Sequence, residues 1–220
     1  MSVLTRLDVD LVDHSLGRGS SSTSAPKRCI DAVGAVVGLL LLLPGLLLIA
    51  LAVKVTSRGG VFYRQTRVGL DSQPFSLIKF RTMCADSDER LARLKAEAPV
   101  DGPLFKLVDD PRVTPVGRFL RRFSLDELPQ LWNVLRGDMS LVGPRPALPC
   151  EVDEYSVRAL HRLDAVPGMT GAWQVGGRST LDWQTGLDLD LHYVDHWSLR
   201  YDAVILLKTV KAVVAPVGAY

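Results

Sequence analysis

The chain has 220 residues, of which 47% are hydrophobic and 23% are charged. This length suits one ordinary domain, alone or with a membrane element, and this composition excludes both a disordered chain and a protein with many membrane spans. The net charge of +2 conceals a concentration of arginines between Arg58 and Arg122, and local basic patches bind phosphates or anionic lipid head groups. The three cysteines, Cys29, Cys84 and Cys150, are widely spaced, which disfavours a disulfide framework or a zinc site and favours a reducing, cytoplasmic environment.

The N-terminal part of the chain is predicted to be a polar tail followed by a membrane helix. Residues 1–26 are expected to be disordered because they include a glycine-, serine- and threonine-rich stretch that no apolar period follows. The next segment, 32–53, carries no charge and has roughly the length needed to cross a bilayer as a straight helix.

Two features of this apolar segment favour a helix that enters the membrane and returns. Pro44 lies at its centre, where proline removes a hydrogen bond and bends the helix. Both flanks carry lysine and arginine, whereas a crossing helix has its basic residues chiefly on the cytoplasmic side. The pattern predicts a re-entrant membrane helix over residues 27–54, broken at Pro44, with a single kinked span as the alternative. Asp31 is predicted to pair with Lys27 or Arg28, one turn earlier on the same face.

The remainder, residues 55–220, is predicted to be an α+β domain that is mainly helical. A small β-hairpin is expected from two strand-like segments, 61–63 and 75–80, joined by the turn residues 69–72. Helices are expected at 86–98, 113–122, 124–135, 150–163, 187–197 and 201–214. The last two are amphipathic, 144–149 is expected to be a loop, and 166–178 is expected to be rich in turns.

Two adjacent carboxylates, Asp126 and Glu127, follow Ser124 at the predicted start of the helix over 124–135. Ser124 with Glu127 three residues later matches a capping box, and acidic residues in a first turn complement the helix dipole. This structural interpretation accounts for each of the three residues singly.

The basic residues around this acidic pair favour a functional interpretation. Arg112, Arg118 and Arg121 precede the pair, and Gly143-Pro144-Arg145-Pro146 follows the same helix. Carboxylates among arginines suit a site that handles phosphate and a divalent metal. Because neighbouring helical residues point about 100° apart, one carboxylate would attack while the other holds the metal.

Further cations are candidates for gripping phosphate. Lys79 and Arg81 lie at alternate positions of the second predicted strand, where they form either a phosphate clamp or a solvated strand edge. Arg145 stands between two prolines, which keep it ready to bind, although a rigid turn with an exposed arginine has the same pattern. Gln174 and Arg178 complete the predicted substrate-binding set, since two glycines before Arg178 put tight backbone beside a cation.

Together these segments resemble the bacterial sugar transferase family, which comprises the monotopic phosphoglycosyl transferases, also called undecaprenyl-phosphate sugar-1-phosphate transferases. The resemblance runs from about residue 27 to the end of the chain and is carried by many motifs in order. They are Lys27-Arg28-x-x-Asp31, Gln65-x-Arg67-x-Gly69, Lys79-Phe80-Arg81-Thr82-Met83, Asp110-Pro111-Arg112-Val113-Thr114, Gly117-Arg118-Phe119-Leu120-Arg121, Ser124 to Asn133, Gly137 to Pro146, Pro167 to Gly171 and Tyr193-Val194-Asp195-x-Trp197-Ser198.

The resemblance implies an enzyme that moves a sugar-1-phosphate from a UDP-sugar to polyprenyl (undecaprenyl) phosphate and releases UMP. This is the first membrane step in the assembly of an exopolysaccharide, capsule, O-antigen or glycoprotein glycan. It implies magnesium (Mg2+) as the cofactor and a covalent phosphosugar intermediate on an aspartate. Asp126 matches that aspartate, and Glu127 matches its partner at the metal.

The resemblance also implies a topology and a set of partners. Residues 27–54 would enter and leave the membrane on one side, so that both termini and the catalytic domain, 55–220, lie at the cytoplasmic face of the bacterial inner membrane. The expected partners are the UDP-sugar donor, the polyprenyl phosphate acceptor and the membrane, with no nucleic acid; a homodimer is an alternative to a monomer. The short polar tail is expected to mark the minimal catalytic form.

One residue departs from the family pattern, and one other function fits the residues. Leu43 precedes Pro44 where the family often has serine, which can satisfy the backbone groups that proline frees. The alternative function is a membrane-anchored, non-catalytic module that binds anionic lipid or a phosphorylated ligand. Such a module would use the basic patch without needing Asp126 and Glu127.

Overall fold

The computed structural model describes residues 24–84, 86–87, 110–177 and 181–214. In this part of the chain the helices are α1 (Ala25–Thr56), α2 (Pro115–Arg122), α3 (Gln130–Arg136), α4 (Pro149–Val152), α5 (Val157–Leu160), α6 (Ala172–Gly176), α7 (Trp183–Asp195) and α8 (Leu199–Val214). The strands are β1 (Phe62–Val68), β2 (Pro74–Phe80), β3 (Ser140–Val142) and β4 (Gly168–Thr170), and short 3-10 turns lie at Leu70–Ser72, Leu125–Glu127 and His161–Asp164. The predicted fold class, mainly helical with a small sheet component, is confirmed at this level.

The predicted β-hairpin is confirmed and is longer than expected. β1 and β2 pair antiparallel over their full lengths, from Phe62 opposite Phe80 to Val68 opposite Pro74. The rings of Phe62 and Phe80 stack with their centroids 5.4 Å apart, which adds a cross-strand aromatic contact to the ladder.

A second sheet was not predicted from the sequence. β3 and β4 pair parallel, with Ser140 opposite Gly168 and Val142 opposite Thr170. Three residues a strand are too few to show an apolar period. The two backbones approach so closely that a Cβ on Gly143 or Gly168 would collide with main-chain atoms of the other segment, so glycine is required at both positions.

Several helix boundaries differ from the predictions for identifiable reasons. The helix predicted over 124–135 begins only at Gln130, because Pro129 has no N–H to donate to the preceding turn. It ends at Gly137 as predicted, with a left-handed φ of 97°. The helix predicted over 150–163 is divided into α4, α5 and a 3-10 turn, because Ser156 caps a new helix within it.

Both predicted C-terminal helices are confirmed as helices, α7 with one buried face, and other predicted segments fall outside the description. α8 exposes Leu199, Val204, Leu206, Leu207 and Val210 while burying Ile205. Residues 1–23 of the predicted tail, 88–98 of the predicted helix over 86–98, and Arg178 lie outside the described residues.

α1 is helical on both sides of Pro44 and packs against the domain near both of its ends. In its first half, Ala35 packs with Leu77 and Leu131. In its second half, Val53 packs with Phe80 and Leu120. In the described part of the chain, α1 is the one helix long and apolar enough to cross a membrane, and most of its side chains are exposed, which fits a membrane anchor rather than a core helix.

Polar side chains tie the first two turns of α1 to the domain, and here one prediction is wrong. The carboxylate of Asp31 accepts a hydrogen bond from the backbone N–H of Leu141, at 2.9 Å, rather than pairing with Lys27 or Arg28. Lys27 instead reaches Asp202 on α8, with Nζ and Oδ2 2.6 Å apart. Arg28 donates to the last carbonyl groups of α3. All three groups find partners that are remote in sequence, which a helical spacing rule cannot predict.

Candidate active site

The acidic pair, Asp126 and Glu127, lies in a 3-10 turn that connects α2 to α3. Ser124 precedes it with a left-handed φ of 55°, a backbone conformation that serine rarely adopts. The predicted capping box is therefore wrong, since the Ser124 side chain accepts no capping hydrogen bond. Strained residues of this kind concentrate at functional sites, and this turn sets the direction of the two carboxylates.

Asp126 is buried, with 7% of its surface exposed. Burial raises the pKa of Asp126 from 3.8 to about 6, and the neighbouring Glu127 carboxylate adds to the rise. The charges of Lys79 and Arg121 oppose it. Asp126 is therefore mostly ionised at pH 7 while it is shielded from water, and these are the properties of an activated carboxylate.

Two of the predicted substrate-binding cations lie near Asp126. Burial lowers the pKa of Lys79, opposed by the charges of Glu127 and Asp126. Burial also lowers the pKa of Arg121, opposed first by Asp126. The Nε of Arg121 donates to the hydroxyl oxygen of Thr82, at 2.9 Å. The structure thus brings Lys79 and Arg121 into the field of the acidic pair.

Arg145 also belongs to this group, and so does an arginine that the sequence did not place in the site. The positive charge of Arg145 lowers the pKa of Lys79 and of Arg67, in both cases after the larger effect of burial. Arg67 is buried, and its guanidinium donates to the carbonyl of Pro146 at 3.0 Å and to Gln65 at 2.8 Å. Its Nε has no hydrogen-bond partner among the described residues.

Arg67 could have been found from the sequence. It stands in a motif of the family resemblance and alternates with Gln65 on one face of β1. Its position beside Arg145 depends on a contact between distant segments. The bridge between Val68 and Ala147 brings the end of β1 beside the loop 143–146. Arg67, Lys79, Arg121 and Arg145 are called the cation group below.

The other predicted ligands have different surroundings. The Arg112 guanidinium is held by Asp110, with Nη2 and Oδ2 2.6 Å apart, and Arg81 donates to the carbonyl and hydroxyl of Ser57 at the end of α1. Arg118 is exposed on α2. The amide oxygen of Gln174 is buried and has no partner in the described part of the chain, which leaves it available to a ligand. These roles stay predictions, as does that of Arg178.

The donor groups of the acidic pair fit a magnesium ion. Among the described residues, no three His, Cys, Asp or Glu side chains come together as a complete metal cage. Magnesium in enzymes is usually held by one or two carboxylates together with waters and substrate phosphates. Asp126 and Glu127 supply such a partial set, so they suit an ion that arrives with a diphosphate.

An apolar groove of about 240 Å³ lies between α1 and the domain. Its lining includes Pro129, two residues beyond Glu127, and Leu39 and Leu46 of α1, on either side of Pro44. Its one charged lining residue is Arg64. The lining residues are Leu39, Leu46, Phe62, Arg64, Ile78, Phe80, Pro129 and Trp132.

An exposed apolar helix joined to a buried acidic pair among cations is the arrangement expected of a membrane-associated enzyme that acts on phosphates. Comparison with known proteins agrees: a family model described as bacterial sugar transferase matches residues 22–216. The chain therefore belongs to the bacterial sugar transferase family and is a phosphoglycosyl transferase.

Three relatives show how far the similarity extends. The chain is 47% identical over 225 residues to the undecaprenyl-phosphate galactose phosphotransferase of Salmonella typhimurium, covering 100% of this chain and 47% of that protein. It is 45% identical over 198 residues to the exopolysaccharide production protein ExoY of Rhizobium meliloti, covering 88% of each. It is 43% identical over 203 residues to the UDP-glucose:undecaprenyl-phosphate glucose-1-phosphate transferase of Caulobacter vibrioides, covering 88% of this chain and 72% of that protein. The chain thus spans about half the length of some relatives and most of the length of others.

Proposed function

We propose that this enzyme transfers a sugar-1-phosphate from a UDP-sugar to undecaprenyl phosphate, releases UMP and so begins the assembly of an exopolysaccharide or related surface glycan. The observation that carries the proposal is the buried Asp126 within the cation group. The names of relatives support the substrate classes, since they include a UDP-glucose donor and an undecaprenyl phosphate acceptor.

The reaction proceeds in two displacements at one phosphorus atom. A carboxylate oxygen of Asp126 attacks the phosphorus that carries the sugar, and the bond from that phosphorus to the UMP oxygen breaks, with the electron pair leaving on UMP. A phosphate oxygen of the acceptor then attacks the same phosphorus and releases the Asp126 carboxylate. A covalent intermediate divides one difficult displacement into two easier ones, and it allows the soluble product UMP to leave before the lipid reacts.

The cation group lowers the barrier by stabilising charge. A diphosphate repels an anionic nucleophile, and cations placed in a water-poor site offset this repulsion without reorganising. Arg67 and Arg145 lie near each other, so together they suit the two phosphates of the donor. When bound, Mg2+ would neutralise further phosphate charge, and Glu127 is the residue proposed to hold it.

The role of Glu127 can be tested through magnesium dependence. Glu127→Gln removes the ligand charge, so the loss of activity should be large at low magnesium and smaller at saturating magnesium. UMP release is measured across a magnesium titration of both proteins. An equal loss at every magnesium concentration would assign Glu127 to another task.

The apolar groove supports a lipid acceptor. Its walls come from α1 and from residues next to the acidic pair, so hydrocarbon lying in it would bring an attached phosphate toward Asp126. Arg64 supplies a positive charge in the groove lining. Trp132→Asp, which puts a charge into the groove, should raise the acceptor KM and leave the donor KM unchanged.

The proposed re-entrant course of α1 is supported by contacts at both of its ends. Lys27 near the first end binds Asp202, and Ser57 just past the second end binds Arg81. A straight helix of 32 residues would be about 48 Å long, and both of its ends are bonded to one domain. We therefore place the helix in the cytoplasmic leaflet of the inner membrane, with both termini cytoplasmic.

Labelling tests this topology. Single cysteines at Ala25 and Arg58, in a protein whose three native cysteines are replaced by serine, should both resist a membrane-impermeant thiol reagent in intact cells. Both should react after the cells are opened. Labelling of the cysteine at position 25 alone in intact cells would establish a true span.

One experiment tests the overall proposal. The purified protein is supplied with magnesium, undecaprenyl phosphate and a panel of UDP-sugars, and UMP is measured. One or a few donors should give UMP in proportion to a lipid-linked diphosphate sugar. Absence of UMP with every donor, from a protein that binds UDP, would overturn the proposed reaction.

A further inference from the structure

A buried ion pair contacts the loop that carries Arg145. Arg162 and Asp190 have 4% and 0% of their surfaces exposed, and their Nη2 and Oδ2 atoms are 2.6 Å apart. Arg162 follows α5 and Asp190 lies on α7, so the pair joins two elements on which no residue of the acidic pair or the cation group lies.

Aromatic rings enclose the Arg162 guanidinium. Its Cζ lies 5.8 Å from the ring centroid of Tyr155, 5.4 Å from that of Trp173 and 5.7 Å from that of Trp183. Its Nη1 also donates to the Tyr155 hydroxyl at 2.7 Å. Cation–π contacts with three rings and two polar partners leave this side chain little freedom to move.

The pair contacts the Arg145 backbone at its carbonyl oxygen. Nη2 of Arg162 donates to the Arg145 carbonyl, at 3.3 Å, and the same nitrogen donates to Oδ2 of Asp190, at 2.6 Å. Oδ1 of Asp190 has no hydrogen-bond partner among the described residues. The carbonyl of Arg145 is therefore bonded to a guanidinium that its own ion pair and three aromatic rings hold in place.

This contact supplies a restraint that the prolines do not. Pro144 and Pro146 fix their own φ angles, but they do not fix where the loop lies relative to the cation group. Arg145 is itself exposed, so its side chain is not packed in place. The contact to its carbonyl restrains Arg145 directly, while the bond from Arg67 to the Pro146 carbonyl and the backbone hydrogen bonds of Pro144 and Ala147 restrain its neighbours.

We infer that the Arg162–Asp190 pair is a positioning device that fixes Arg145 for the phosphates of the nucleotide donor without touching the donor itself. The inference rests on the proposed function, because it takes Arg145 to be a donor ligand. A buried ion pair is in general a weak source of stability compared with apolar residues of similar volume. Because Arg162 donates to the Arg145 carbonyl, this ion pair can fix the position of that residue.

A double-mutant cycle tests this positioning role, with UDP as the probe. The pair is replaced by Arg162→Met with Asp190→Leu, which removes both charges together and leaves neither one buried alone. The Kd for UDP in the presence of magnesium should rise about tenfold in the wild-type background. In an Arg145→Ala background the same replacement should raise the Kd by less than about twofold, because the group it positions is already absent.

Steady-state kinetics separate positioning from a general loss of structure. The donor KM should rise in the pair variant, while the acceptor KM and the melting temperature stay near wild type. An equal rise of the UDP Kd in both backgrounds would overturn the inference, and so would a fall in kcat with both KM values unchanged.

Two further variants complete the experiment. Arg158→Gln with Asp188→Asn removes an exposed ion pair that joins α5 and α7 beside the buried one, and it should leave the Kd for UDP unchanged. Arg162→Lys keeps a charge for Asp190 but lacks the fork that reaches the Arg145 carbonyl, so it should also raise the Kd. A wild-type Kd in a folded Arg162→Lys protein would contradict the inference. Because UDP binding is measured without turnover, failure of the proposed reaction and failure of this inference give different results.

Discussion

Arg112 and Arg162 each lie against a carboxylate, whereas Lys79 and Arg67 lie in the field of the acidic pair and contact no carboxylate of the described residues. Arg112 and Arg162 are 2.6 Å from Asp110 and Asp190, respectively. Among the described residues, Arg67 has only neutral hydrogen-bond acceptors, and the aromatic contact of Lys79 is with the ring of Tyr63. The charge of each paired cation is matched within the protein, while cations that no carboxylate contacts retain their charge for an anionic ligand.

The comparison also explains the state of Asp126. An aspartate held in a contact ion pair usually has a lowered pKa, as the guanidinium of Arg112 lowers the pKa of Asp110. Asp126 is influenced by Lys79 and Arg121 only through space, so burial prevails and its pKa rises to about 6. A carboxylate that is not held by a partner is free to attack phosphorus.

The largest expected effect is on the acidic pair itself. Asp126→Asn should lower UMP release by at least about a thousandfold, because the nucleophile is lost. It should also stabilise the protein in EDTA at pH 8. A folded pKa above the unfolded value of 3.8 means that stability is lost as pH rises from about 4 to about 6. The asparagine variant escapes this loss, which amounts to about 3 kcal/mol at most. Denaturant unfolding of both proteins at pH 4.5 and pH 8 measures this difference in stability. Substantial UMP release by the Asp126→Asn variant would show that Asp126 is not the nucleophile.

The next effect separates the two kinds of cation. Arg112→Met leaves Asp110 buried without its partner, so it should destabilise the protein by about 3–5 kcal/mol. Lys79→Met keeps the aliphatic stem and removes a charge that burial already disfavours, so it should leave the melting temperature nearly unchanged and lower activity about tenfold. Melting curves and UMP assays on both proteins make the comparison. An equally large destabilisation in both variants would show that Arg112 and Lys79 do not differ in their contribution to stability.

Arg145→Ala should have a smaller effect than loss of the nucleophile. A charge-assisted hydrogen bond contributes about 1.5–3 kcal/mol, so donor kcat/KM should fall roughly tenfold to a hundredfold. Arg145→Lys should recover little, because lysine lacks the bidentate fork. Arg136→Ala, at an exposed arginine on α3, is the matched control and should behave as wild type. A loss confined to the acceptor KM would show that Arg145 serves the lipid.

The smallest effect is a shift in pH dependence. Asp126 attacks only when ionised, so activity should rise with pH through about 6 and then level off. Lys79 lowers the pKa of Asp126, so Lys79→Met should move this rise to higher pH. Initial rates between pH 5 and pH 8 measure both. An unchanged pH profile in the Lys79→Met variant would show that Lys79 does not influence the pKa of Asp126.

Local sequence patterns predicted the parts of this fold that local interactions determine. The hairpin follows from strand-like residues around the turn 69–72, and α3 ends at Gly137, where a left-handed φ favours glycine. The amphipathic helices follow from their periodicity. The acidic pair and the cations Lys79, Arg121 and Arg145 were also predicted from sequence as site residues.

The remaining features depend on contacts between distant segments. The pairing of β3 with β4, the partner of Asp31 and the place of Arg67 all require knowledge of which segments meet. The capping box failed for a different reason. Pro129 has no N–H and interrupts the helical hydrogen bonds beyond Ser124. Ser124 and Glu127 therefore belong to a 3-10 turn instead of the first turn of an α-helix.

The anchoring of Lys27 has a consequence for the order in which the chain folds. Lys27 is bonded to groups that follow it by 115, 166 and 175 positions, the last of them Asp202 on α8. During synthesis α1 emerges long before these partners exist, and contacts of such long sequence separation form late. The apolar part of α1 can therefore enter the lipid early, while its first turn binds the domain only after α8 is made. The attachment of α1 is thus completed by α8.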